Sequence, residues 1–118
     1  MEEGQSIYSG IKSCYARIEG VYVEPGRMDL AKAAAHLLLH LSDRERGYTY
    51  DHSCRRIPMT DELFKARSKY LVEICRKQGG RDCDEIEELV NETLRSYSLP
   101  SWAREMAARK LIRLSRLL

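Results

Sequence analysis

The chain is expected to be all-α: a compact bundle of five or six helices around a central rod of alanine and leucine. Three observations predict this. The run from Leu30 to Leu41 is apolar on nearly every face, as in a helix enclosed by its neighbours. Flanking stretches repeat apolar residues at spacings of three and four, the period of a helix with one buried face. Extended segments are confined to the triplet Val21, Tyr22, Val23, too short to build a sheet. With 118 residues, 43% of them hydrophobic and 32% charged, the chain fits one globular domain spanning residues 1–118.

Each element has its own signature. Ile7, Ile11, Cys14, Tyr15 and Ile18 form a stripe that predicts a helix over 6–20, ended by Gly20. A link and turn through Glu24, Pro25 and Gly26 follow. Asp29 is placed to cap the central helix, in which Ala33, Ala34 and Ala35 are small enough to let another backbone approach. Ser42 to Gly47 reads as a polar turn. Tyr50, Cys54 and Ile57 stand at helical spacing, which predicts a short helix over Tyr48 to Ile57, and Pro58 forbids its continuation.

Thr60 then caps a helix running to Lys77, with Asp61 and Glu62 favourably placed in its first turn. Leu63, Phe64, Ala66, Arg67, Tyr70, Leu71, Ile74 and Cys75 are its expected buried stripe. Gln78, Gly79 and Gly80 stop it. Asp82 or Asp84 starts the next helix, which turns Ile86, Leu89, Val90 and Leu94 inward. Ser101 is the expected cap of a final helix lined by Ala103, Met106, Ala107, Leu111, Leu114 and Leu118, with Trp102 anchoring this end against the bundle.

Several function classes are disfavoured. No apolar run reaches the roughly 18 residues of a membrane span, and Met1, Glu2, Glu3, Gly4 is acidic where a signal peptide is basic. The expected location is the cytoplasm. Fourteen Arg against two Gln and one Asn suggest a thermophile, a setting in which intracellular disulfides occur. Cys75 and Cys83 flank the Gly79–Gly80 turn and would meet if their helices fold back on each other; Cys14 with Cys54 is the other pairing. A zinc site from His52, Cys54, Cys75 and Cys83 lacks any C-x-x-C pair. His36 and His40 stand four apart, but no third ligand accompanies them. Neither a metal nor a cofactor is expected.

The net charge of +2 is small but banded. Arg44 to Arg81 holds ten Lys and Arg against five Asp and Glu, and Asp82 to Glu92 holds six acids and no base. Basic bands meet polyanions or acidic partners, although solvated helix faces look the same. Tyr48–Ile57 followed by Thr60–Lys77 would have the layout of a helix-turn-helix. Arg44, Arg46, Arg55, Arg56, Lys65 and Lys69 are then the candidate nucleic-acid-binding residues, with DNA favoured over RNA.

Gly26 and Arg27, Ala31 to Leu39, Thr49, then Met59, Thr60 and Asp61, then Arg67, Lys69 and Leu71, together resemble the cyclin-box repeat of archaeal transcription factor B and transcription factor IIB. Leu99 and Pro100, between two helices, are similar to the opening of such a repeat. The resemblance covers about half the chain and departs from the family at the truncated first helix, at Pro58 and in having no zinc ribbon. It implies a cyclin-like helical fold that binds DNA or a protein partner. Arg46 and His52 also resemble the R-x4-6-H pair of HEPN ribonucleases, although there the pair opens a long helix. No paired carboxylates or phosphate-cradling glycine loop point to another enzyme.

The expectation is a non-catalytic nucleic-acid-binding protein, an accessory factor in transcription or replication. The alternative is an interaction subunit of a larger assembly. Leu111, Leu114, Leu117 and Leu118 can either close the core or pair two copies as a homodimer.

Overall fold

The computed structural model describes residues 27–51 and 53–117. The helix expected over 6–20, Cys14 with its pairing, His52 and Leu118 lie outside the described residues. Helix α1 (Leu30–Arg46) begins where predicted: the Asp29 carboxylate accepts from the Lys32 backbone N–H at 2.8 Å. It runs past the expected turn at Ser42 and ends at Gly47, whose φ of +88° is left-handed backbone that a side chain would strain. Ala33, Ala34 and Leu37 are fully buried and Leu41 nearly so. Every other described helix packs on α1, so the alanine-leucine rod is the hub.

The largest correction follows directly. Tyr48 to Ile57 is not a helix but an antiparallel hairpin, β1 (Tyr48–Tyr50) and β2 (Arg56–Pro58), with Thr49 opposite Ile57 and Tyr50 opposite Arg56. Tyr, Thr and Ile favour a pleated, half-buried ribbon, and Pro58 pushes Ile57 toward extended backbone. The Asp51 carboxylate closes the loop by accepting from the Ser53 and Arg55 N–H groups at 2.9 and 3.0 Å. Cys54 takes a left-handed φ of 61° within it.

Helix α2 (Asp61–Lys77) is capped by Thr60, which accepts from the Leu63 N–H at 3.1 Å. Its buried line is Phe64, Ser68, Leu71, Val72 and Cys75, rotated from the expected stripe, so that Ala66 is exposed and Ser68 enclosed. Helix α3 (Cys83–Ser96) buries Ile86, Leu89 and Val90 as expected. Asp82 does not cap it with its side chain; that carboxylate accepts from the Leu30 N–H across the fold. Cys75 and Cys83 form the anticipated disulfide, their Cα atoms 5.5 Å apart. Gly80 is required beside it, because a Cβ there would lie 2.7 Å from the Cys75 sulfur.

Helix α4 (Ser101–Ser115) lies along α1. Pro100, not Ser101, is its cap residue, and no side chain caps it. Ala103 and Leu111 are buried, but Trp102 and Met106 are each 61% exposed, so the expected tryptophan anchor and inward methionine are both overturned. Leu111 and the half-buried Leu114 serve the core, and Leu117 is exposed. Among the described residues there are thus four helices and one hairpin in place of five or six helices. No helix among them is long and apolar enough to cross a membrane.

Candidate nucleic-acid interface

The hairpin emerges at the C-terminal end of α1, and a buried polar chain fixes it there. The Thr49 hydroxyl donates to Asp43 Oδ2 at 2.8 Å; Arg67 of α2 donates to Thr49 Oγ1 at 2.7 Å and to the Tyr50 carbonyl at 3.0 Å. Arg46 donates to the other oxygen of Asp43 at 2.6 Å. Burial pushes the Asp43 carboxyl above its ordinary value, while the Thr49 hydroxyl and the Arg46 and Arg67 charges pull the other way. One acid thus ties two helices and a ribbon together, and a buried charge needs that many partners.

One turn back along α1, His40 is fully buried, and neither ring nitrogen has a hydrogen-bond partner among the described residues. Burial first, then His36 and Arg67, push its pKa well below the usual histidine value. His36, its ring centroid 6.4 Å away, is lowered to about 4 by burial and by Lys32. Both are neutral at pH 7. No group of three or more metal-ligating side chains occurs among the described residues.

Cross-strand register puts Tyr48, Tyr50, Arg56 and Pro58 on one face of the ribbon, opposite the buried Thr49. The guanidinium carbons of Arg56 and Arg46 lie 3.9 and 4.6 Å from the Tyr48 ring centroid, and Tyr50 meets Tyr48 edge-on at 6.0 Å. A second aromatic sits close by: Tyr97 has Arg44 at 5.5 Å and Arg104 at 5.2 Å. This end of the molecule is rich in arginine held against tyrosine.

The chain matches no known family model, no curated protein and no solved structure. The cyclin-box resemblance therefore stands on its short motifs alone, and the site has to be judged on its geometry.

That geometry divides the six predicted residues. Arg44 pairs with Asp61 at 2.7 Å and Arg46 with Asp43, so both spend donors inside the protein. Arg55 and Arg56 are exposed and have no carboxylate partner among the described residues. Lys65 and Lys69 are likewise exposed, but each is two positions from Arg67, roughly 200° around the helix at 100° per residue. Because Arg67 faces the hairpin, the two lysines face away from it, and no helix-turn-helix gathers all six cations. Sequence reasoning missed Tyr48 and Tyr50 as partners of the arginines. Their alternation around Thr49 was the available signal, obscured by the helical spacing of Tyr50, Cys54 and Ile57.

Proposed function

We propose that this protein is a non-catalytic nucleic-acid-binding factor that grips the phosphate backbone with the outer face of the β1–β2 hairpin. The observation that carries the reading is Arg56, stacked on Tyr48 at 3.9 Å and, like the neighbouring Arg55, paired with no carboxylate among the described residues. A guanidinium steadied on a ring keeps its planar fork of N–H groups in place for phosphate oxygens at little entropic cost. Tyr50, half-buried on the same face, offers part of a ring to an unpaired base. The ribbon replaces the helix-turn-helix as the contacting element, and a role in transcription or replication remains the favoured setting.

Fluorescence anisotropy with labelled duplex DNA, single-stranded DNA and RNA, each at two salt concentrations, tests this. Arg55→Ala with Arg56→Ala should weaken binding by about tenfold and flatten the salt dependence by about two phosphate contacts. Lys65→Ala with Lys69→Ala should do less. Unchanged affinity in the arginine pair would remove the hairpin from the interface.

A further inference from the structure

Helix α4 has an outward face that the hairpin reading leaves unused. At 100° per residue Trp102, Met106, Arg109 and Arg113 fall within a strip roughly 60° wide. Leu99 precedes the helix at 50% exposure and Leu117 follows it at 74%. The buried Leu111 lies on the opposite side of α4 and the buried Ala103 about a quarter-turn from the strip, so the strip points away from the bundle. Arg109, Arg113 and Arg116 are exposed with no carboxylate partner among the described residues, whereas Lys110 on the flank is taken by Glu92 at 2.7 Å. The strip is therefore apolar in its first half and cationic in its second.

We propose that this face docks an acidic amphipathic helix of a partner protein, with apolar side chains against Leu99, Trp102 and Met106 and carboxylates against Arg109, Arg113 and Arg116. Charge complementarity and the order of the residues select this occupant. A bilayer would need an unbroken apolar face, and Arg109 and Arg113 interrupt it. Nucleic acid has no counterpart for the exposed aliphatic side chains of Leu99 and Met106. A second copy fits poorly: its acidic face on α3 exposes Asp84, Glu85, Glu87 and Glu88 but no large apolar residue, and α4 against α4 would bring the arginines together. A helix laid on a helix can match both halves of the strip residue by residue. This inference is independent of the nucleic-acid reading.

Trp102 is the chain's one tryptophan, so the emission of the whole protein reports on this face directly. The probe is a short synthetic helix with leucines at one end of a face and glutamates at the other; the control carries lysines in place of the glutamates. The expected result is a saturable blue shift with the leucine-glutamate peptide and none with the control. Arg109→Glu with Arg113→Glu should weaken the first interaction by about tenfold or more and create affinity for the lysine peptide. Should the double variant lose helical circular dichroism, Arg113→Glu alone carries the same comparison. Equal response to both peptides, no response to either, or a charge-reversed protein with unchanged preference overturns the proposal. So does a stronger response to phosphatidylglycerol vesicles or to single-stranded DNA, or a shift that appears on concentrating the protein alone.

Discussion

The two ends of α1 are closed by different chemistry. At its N-terminal end the α2–α3 turn is held covalently by Cys75–Cys83, and neutral or capping contacts complete it: Gln78 Oε1 accepts from the Met28 N–H at 2.7 Å, and Asp82 accepts from Leu30. At its C-terminal end the hairpin is held by the ionisable chain of Asp43, Thr49, Arg46 and Arg67. A disulfide acts mainly on the unfolded chain, by shrinking its freedom. A buried charge network acts on the folded state, where every member must find its partners. The cationic ribbon sits on the end whose closure is electrostatic.

The sharpest way to break this contrast is to remove the acid at its centre. Asp43→Ala removes the buried carboxylate that accepts from Arg46 and Thr49 and should cost about 3 kcal/mol in urea unfolding of the oxidised protein. A loss under about 1 kcal/mol would mean that the network is dispensable.

The disulfide end should yield slightly less. Replacing Cys75 and Cys83 with alanine should cost about 2.5 kcal/mol on the loop-entropy account for an eight-residue separation. Gly80→Ala should be destabilising by about 1–2 kcal/mol while the sulfur stands 2.7 Å from the new methyl, and close to neutral once Cys75 is alanine. Equal costs in both backgrounds would show that the sulfur is not what demands glycine.

The smallest effect distinguishes the two ends by pH. His36 and His40 are held neutral in the folded protein, while the unfolded chain binds protons at histidine below about 6.5. Stability is therefore full above that pH and declines as pH falls toward about 4, the folded value for His36. His36 alone should contribute about 1 kcal/mol of loss between about pH 7.5 and 6. Asp43, raised above its usual 3.8 by burial, works in the opposite sense, favouring the folded protein as pH falls through its folded value. Urea midpoints measured across this range should flatten in His36→Gln and His40→Leu proteins; an unchanged pH dependence in both would show that neither histidine is its source.

Much of the helical frame could be read from local sequence. The Asp29 and Thr60 caps, the glycine stop after α2 and the alanine-leucine hub are all decided within a turn or two of chain. The Cys75–Cys83 pair was readable because both cysteines flank one tight turn. The hairpin was not, since its anchor links positions 43, 49 and 67, and its loop depends on where one aspartate aims its carboxylate. The exposure of Trp102 was missed for the opposite reason: bulk and apolarity suggested burial, but α4 fits Ala103 and Leu111 against α1 and turns the tryptophan outward. In the candidate site the six cations could be picked out by residue type, but their division between two faces needed the fold.

The brevity of the ribbon has a consequence for handling the protein in bulk. Each strand is three residues long, one of them carries a proline, and two arginines sit at the loop end. An edge of that length presents too few backbone groups to template a stranger's strand, and like charges discourage stacking. This ribbon, the one β element among the described residues, is thus poorly suited to seeding fibrils, and thioflavin-positive material from concentrated samples should not trace to it.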